Sequence, residues 1–448
     1  MLGSKRALAV RTTALVAAAA AALLLPGEPF GIGVTIVFLV VVAAAVTAVR
    51  ASFDAILLGL LAVTLSTAPA IRDADWVVAL DLVAAWLLIA AAVAGRTLAS
   101  AVTPLLRLRE LPEVAPALPT SGAPALRGTV LGGALLTPFG VLFWTGDAAF
   151  AELGSRLPLP SLDSLPGRVF TGVVVFLAAV ALAFAARRPL VWRASRPSPP
   201  LSPWEWLIPL ALLDALFLAF VTVQIAVLFG GHEHVLRTSG LTYAEYARQG
   251  FWQLLLAAAL TFAVVGAAVV FSKTPARSHR LALRLLLGAL CLLTIVVVAS
   301  ALWRLLLYEE AFGLTRLRLL AETTSLWFGG MFALLILAAM FERIRRELAR
   351  IVVVGTAVGL VTFSLLNPDG RIAERNLERW RETGRIDVAY LQTLSADAVP
   401  ALVALPPELR QSVLDPIETG LAEEEPWSSF NVSRARARDA LQGLTWTS

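Results

Sequence analysis

Long apolar runs recur along this chain, each closed off by a short segment carrying arginine, and that alternation limits what it can fold into. About eleven runs are near the roughly 20 residues a bilayer requires, or slightly short of it. Apolar residues make up 58% of the whole, well above the roughly 45–50% of a water-soluble globule. The expected fold class is therefore all-α: a polytopic transmembrane helix bundle of about 11 spans with a small helical extracytoplasmic C-terminal tail.

Taken in order, Thr12–Leu25 follows Lys5, Arg6 and Arg11 and reads as a first span or as the apolar part of a signal peptide. The span is preferred, because no clear small-x-small cleavage site follows the run before Pro26. Gly31–Val49, Phe53–Ala68 and Trp76–Ala94 complete an N-terminal four-helix membrane segment, 1–94. Residues 95–128 are rich in Pro, Leu and Arg without a sustained period and read as a cytoplasmic linker. A second membrane bundle of about seven spans fills 129–366. Its runs are Thr129–Thr145, Phe170–Ala186, a helix from Pro203 to Phe229, Phe251–Phe271, Leu281–Leu307, Ser325–Phe341 and Ile351–Leu366. Ser202, Pro203 and Glu205 form a capping box with proline at the first helical position. Residues 367–448 form a tail of short amphipathic helices, expected over Asp369–Arg381, Asp387–Leu394, Ser395–Leu405 and Ser428–Leu441, with Asp387 and Ser395 as N-caps.

Orientation follows from the basic residues. A cytoplasmic N-terminus places about 20 Lys and Arg in inner segments against about 8 in outer loops, the tail left aside. An odd number of spans then puts the tail outside. The implied location is a membrane, and the lipid bilayer is the first partner.

Composition also sets aside several classes. Basic residues are scattered in short clusters between apolar runs, so no nucleic-acid partner is expected. The single cysteine, Cys291, lies in an apolar run, which rules out an intramolecular disulfide and a cysteine metal cage. His232, Glu233 and His234 form a short triplet without a distant third ligand, so no metal site is assigned. No phosphate-binding glycine loop, nucleophile elbow or paired-histidine zinc helix occurs, and no cofactor is expected.

The charged residues concentrate between two apolar runs at Arg304–Ser325. Arg304, Glu309, Glu310, Arg316, Arg318 and Glu322 sit where one helix ends and the next begins. Two readings are open: an ion-pair network that locks the hairpin, and an outward pocket for an anionic or zwitterionic headgroup with Arg as the bidentate partner. Gly313-Leu314-Thr315 repeats Gly240-Leu241-Thr242, and overlaying the copies pairs Glu245 with Arg318 and Gln249 with Glu322. Glu245 and Arg248 therefore join the candidate ligand-binding set. Within the spans, Asp214 lies about ten residues from either end of its helix, one turn beyond Pro209. An intramembrane acid points to proton relay or substrate contact, against a protonated Asp hydrogen-bonded to a neighbouring helix. Asp81 lies nearer the outer end of its span, where water is expected to reach it.

Several separated stretches carry a family resemblance: TGDAAFAEL (145–153), LFGG (228–231), GLTYAEYARQGFWQL (240–254), YEEAFGLTRLRLLA (308–321), NPDGRIAERNLER (367–379) and DVAYLQTLSADAVPAL (387–402). Together they resemble the bacterial integral-membrane family catalogued as domain of unknown function 4173, over roughly residues 130–440. The resemblance implies a multi-pass bacterial cell-membrane protein and assigns no catalytic residue. Three functions stay open: a non-enzymatic scaffold engaging another envelope protein or lipid headgroup, a proton-coupled transporter using Asp214, and a membrane-embedded enzyme on lipid-linked substrates.

Overall fold

The computed structural model describes residues 15–25, 29–46, 52–94, parts of 168–179, 203–229, 251–271, 277–423 and 425–445. Among these every regular element is helical. They are α1 (Leu15–Leu24), α2 (Ile32–Val46), α3 (Phe53–Ser66), α4 (Ala68–Ile71), α5 (Asp75–Ala94), α6 (Pro203–Phe229), α7 (Phe251–Phe271) and α8 (Arg277–Phe312). There follow α9 (Arg316–Met340), α10 (Glu342–Leu365), α11 (Pro368–Thr383), α12 (Val388–Leu391), α13 (Val399–Leu402), α14 (Pro407–Leu421) and α15 (Val432–Thr445). Single 3-10 turns stand at Ala396–Ala398 and Trp427–Ser429.

Among the described residues, five helical segments are long and apolar enough to cross a membrane: Phe53–Ile71, Asp75–Ala92, Arg277–Phe312, Arg316–Met340 and Glu342–Leu365. Shorter apolar helices occupy Leu15–Leu24, Ile32–Ala43, Leu207–Thr222 and Leu254–Ala268. The expected run 129–145, the linker 95–128 and the triplet His232–His234 lie outside the described residues. Within the spans, buried hydroxyls turn back on their own helices: Thr261, Thr294 and Ser325 donate to the carbonyls of Ala257, Leu290 and Ala321 at 2.7–2.8 Å. No water is needed there, as an apolar medium demands.

Contacts group the chain into two compact units, each discontinuous in sequence: 1–192 with 357–370 and 389–448, and 193–356 with 371–388. In the first, α3 and α5 pack together with α2, and residues of the tail close one end. Gly31 and Gly33 permit that closure. A Cβ on Gly31 would collide with the Ser429 backbone, and one on Gly33 would lie 3.0 Å from the Ser428 carbonyl. The Ile32 amide donates to the Phe430 carbonyl at 3.0 Å, stitching the tail to the start of α2.

In the second unit α8 is the central element, packed by α6, α7 and α9. Leu290, Cys291 and Val298 of α8 meet Leu210, Ala258, Val265 and the fully buried Phe332. Phe262 sets its edge against Phe328 and Phe332, with centroids 6.1–6.3 Å apart, a favoured aromatic geometry. Trp327 donates to the Thr356 hydroxyl at 2.9 Å.

Several boundaries differ from those expected. The charged stretch Glu342–Arg350 forms the opening turns of α10 rather than a loop, supported by Glu342 paired with Arg345 and, at 3.3 Å, with Arg346. Only Phe341, in an extended conformation, separates α9 from α10. An additional tail helix, α14, occupies residues to which no element was assigned.

Candidate functional site

The hairpin between α8 and α9 is built on Gly313. Its φ of +81° is the left-handed conformation that ends helices, and its amide donates to the Glu309 carbonyl at 2.7 Å. Two residues on, the Thr315 hydroxyl accepts the Arg318 amide at 3.4 Å and caps α9. Arg318 folds back: its Nη1 donates to the Gly313 carbonyl, and the guanidinium lies 4.3 Å from the Tyr308 ring centroid, within cation–π range. Tyr308 in turn rests on Phe312 at 4.7 Å.

Helix α11 holds the same turn through side chains. Asn376 Nδ2 donates to the Leu314 carbonyl at 2.8 Å, and Arg379 donates from Nε to Glu310 O at 2.9 Å and from Nη2 to Ala311 O at 2.5 Å. Two carbonyls left open where α8 ends are thus taken up by Arg379, and that of the turn residue Leu314 by Asn376. Of the expected set, Arg304, Glu309, Arg316, Arg318 and Glu322 are half-buried and Glu310 is exposed. Glu309 Oε1 is buried without a hydrogen-bond partner among the described residues, and its charged neighbours are Glu322, Arg318 and Arg375. Glu245, Arg248 and the first copy of the repeated tripeptide lie outside the described residues.

Asp214 stands half-buried on α6, a helix that runs unbroken through Pro209. Both its carboxylate oxygens are buried without a hydrogen-bond partner among the described residues, and Cys291 of α8 lies within electrostatic reach. Asp81 departs from expectation. It is 1% exposed, shut off from water, with the Ser364 side chain hydrogen-bonded to it and Arg72 nearby. Its Oδ2 is buried with no hydrogen-bond partner among the described residues.

The densest polar constellation is one that sequence reasoning did not single out. It joins the α4–α5 turn, Arg72–Ala74, to the tail in the first unit. Asp397, 2% exposed, accepts the amides of Asp73 and Ala74 at 2.8 Å on Oδ2, so a tail residue caps the start of α5. Its Oδ1 accepts from Arg72 Nη1 at 3.3 Å and from the Ser433 hydroxyl. Arg72 also donates from Nε to Ser364 O and from Nη2 to Leu365 O, both at 2.7 Å, closing the end of α10.

Asn431 uses both ends of its amide. Nδ2 donates to the Pro69 and Arg72 carbonyls at 2.8 and 2.7 Å, while Oδ1 accepts the Ser433 and Arg434 amides and caps α15. Arg434 pairs with Asp73 at 2.7 Å and with Glu425 at 2.8 Å. Asp369, fully buried, accepts from Trp76 Nε1 and from the Ser395 amide, both at 3.0 Å. Asn367, at a φ of 53° that asparagine tolerates, donates to the Asp397 carbonyl at 3.0 Å. Ser395 makes no side-chain cap; its hydroxyl donates to Asp397 at 3.3 Å instead.

Chemically these groups are occupied in holding chain segments together. Among the described residues no set of three or more His, Cys, Asp or Glu side chains is placed to hold a metal ion.

Long apolar helices with internally satisfied hydroxyls and charges gathered at helix ends define an integral membrane protein. The chain belongs to the family described as domain of unknown function (DUF4153), whose model matches residues 55–405. The family number suggested by the separate motifs, 4173, is corrected by that match, which also begins well before residue 130. No curated protein and no solved structure matches the chain.

Proposed function

We propose that this protein is a non-enzymatic scaffold of a bacterial cell membrane, spanning it about eleven times. Its N-terminus lies in the cytoplasm, and the tail from residue 367 stands outside as an interaction platform for another envelope component. The observation that carries this reading is the reciprocal set of buried bonds between Arg72–Ala74 and Asp397, Asn431 and Arg434. Polar side chains spent on fixing a tail are poor catalysts and good supports, because a pre-ordered surface loses less entropy when a partner binds. The exposed face of α14, with Gln411, Asp415 and Glu418, is the surface offered.

The test is purification of the full chain in native lipid, with mass spectrometry of what remains bound, beside a variant carrying Asp415→Arg and Glu418→Arg. A component held by the parent and lost from the variant supports the platform; identical bound material in both rejects it for that face. A reporter fused after Leu441 that faces the cytosol would reverse the assigned sidedness.

The α8–α9 hairpin supports a headgroup-binding role of its own. Glu309, half-buried beside Arg318 and Arg375 with one buried oxygen unpartnered among the described residues, suits the ammonium of a zwitterionic headgroup whose phosphate meets the arginines.

A second reading, proton-coupled transport, is favoured by the two unpartnered oxygens of Asp214 on an apolar helix. Uptake into sealed vesicles that disappears with Asp214→Asn, in protein that remains folded, would favour it over the scaffold.

A further inference from the structure

We propose that the turn Trp427–Phe430 is a membrane foot, an aromatic surface that rests in the headgroup layer of the bilayer and lays this part of the tail on the lipid. The turn is tied to the first residue of α2 by the bond from the Ile32 amide to the Phe430 carbonyl. Gly31 lets the Ser429 backbone come against the chain with no intervening side chain. Resting on the proposed reading of α2 as a membrane span, its apolar run from Ile32 onward sets its first turn, and whatever touches it, where hydrocarbon gives way to headgroups.

At that level three large aromatic residues face outward. Trp427 is 66% exposed, Phe430 51% and Phe30 44%. They are held there, because the residues between and behind them are buried: Ser428, Ser429 and Asn431 at 8%, 0% and 1%. Asn431 and Arg434 bond this turn to Pro69, Arg72 and Phe30 carbonyls. A rigid turn presenting aromatic side chains of roughly 150–250 Å² each calls for an apolar cover. Lipid is the cover that the start of α2 brings to the same place.

The surroundings suit headgroups too. A groove of about 330 Å³ runs beside the turn between Leu421, Trp427 and Phe430, and ends at Glu423, Glu425 and Arg438. Glu425 is already paired with both Arg434 at 2.8 Å and Arg438 at 3.2 Å, so acids and bases are mixed at this end and it matches zwitterionic lipid better than a strongly charged protein surface. Aromatic rings with a polar margin are what the bilayer interface selects.

The experiment places a nitroxide in the full chain. Cys291, the single cysteine, is changed to Ala, and Trp427→Cys or Glu418→Cys is labelled in vesicles of phosphatidylcholine and phosphatidylglycerol. Power saturation then compares access to oxygen with access to a water-soluble nickel chelate. The expected result is an oxygen-to-nickel ratio several-fold higher at 427 than at 418, with a depth within about 5–10 Å of the headgroup boundary. Equal ratios at both positions would overturn the proposal, placing the turn in water. Shielding of 427 from both reagents would also overturn it, because a protein surface would then cover the turn. Quenching by brominated lipid gives a second readout, taken as the difference between the unsubstituted chain and Trp427→Phe. A Trp427 component unaffected by brominated lipid rejects the foot.

Discussion

Asp73 and Asp397 cap one another's chain. Each carboxylate accepts amides from the segment that carries the other: Asp397 takes those of Asp73 and Ala74 at 2.8 Å, and Asp73 takes that of Ala396 at 2.9 Å. The second oxygen of each meets an arginine, Arg72 for Asp397 and Arg434 for Asp73. Residues more than 320 positions apart are thereby fixed at one place, and the tail cannot lift from the α4–α5 turn without exposing both acids and both cations.

The first prediction concerns that pair. Asp397→Ala leaves Arg72 and two helix-start amides buried without their acceptor. Stability should fall by about 3–5 kcal/mol, the range for breaking a buried ion pair on one side. Arg72→Lys should approach the same loss, because three nitrogens of Arg72 serve three separate acceptors and an ammonium cannot span them. Unfolding in mild detergent, followed by circular dichroism, reads both.

Asn431 offers a graded test. Asn431→Ala removes two donors to buried carbonyls and the cap of α15, and each unsatisfied carbonyl costs about 1–3 kcal/mol. Asn431→Asp keeps the cap and loses the donors, so its melting temperature should lie below that of the parent. The Ala variant should melt no higher than the Asp variant if the cap contributes at all.

Two glycines with positive φ should respond unequally. Gly313, at +81°, lies against Asn376 Oδ1, while Gly384, at +68°, has open space where a Cβ would be. Gly384→Ala should therefore show only the conformational cost, about 1–2 kcal/mol. Gly313→Ala should cost more, since Asn376 must leave the Leu314 carbonyl to make room. Thermal unfolding of the two variants side by side decides this.

Arg318 should behave as a strut of its own turn. Arg318→Ala gives up a charged hydrogen bond to Gly313 and the stack on Tyr308, worth about 1.5–3 and about 0.5–1 kcal/mol. Tyr308→Leu should remove the smaller of these alone. Stability measurements on both single variants and the double variant give the coupling. If Arg318 acts only on a bound headgroup, folded stability without added lipid should not move.

How much of this was legible beforehand depended on how far apart the partners lie in the chain. The apolar runs at Phe53, Trp76, Leu281 and Ser325 mark helices because the signal is local, and Thr315 could be placed at a helix start by its neighbours alone. Helices α8 and α10 extend beyond their apolar runs. Arg277, Glu310 and Glu342 read as loop charges, yet a helix that outruns the hydrocarbon carries its charges on its own terminal turns. Helix α14 was missed because Pro407 and Pro416 interrupt its pattern, although proline at the first turn costs a helix little. Arg72, Asp73 and Asp397 could not be joined by any local rule. The available signal was the density of charge in Arg72–Asp75, a turn of only a few residues between two apolar runs. Asp81 was placed near water by counting from its helix end; Ser364, from nearly three hundred residues later, occupies that side.

The length of α8 has a mechanical consequence. Thirty-six residues rise about 54 Å, against a hydrocarbon thickness of about 30 Å. A rod that long keeps polar turns clear of the oil at both ends whatever the local thickness, and the bend at Gly313 is carried at its tip. A helix longer than the hydrocarbon it crosses is accommodated by tilting, kinking or local thickening of the bilayer, and any tilt of α8 carries the bend at Gly313 sideways with it.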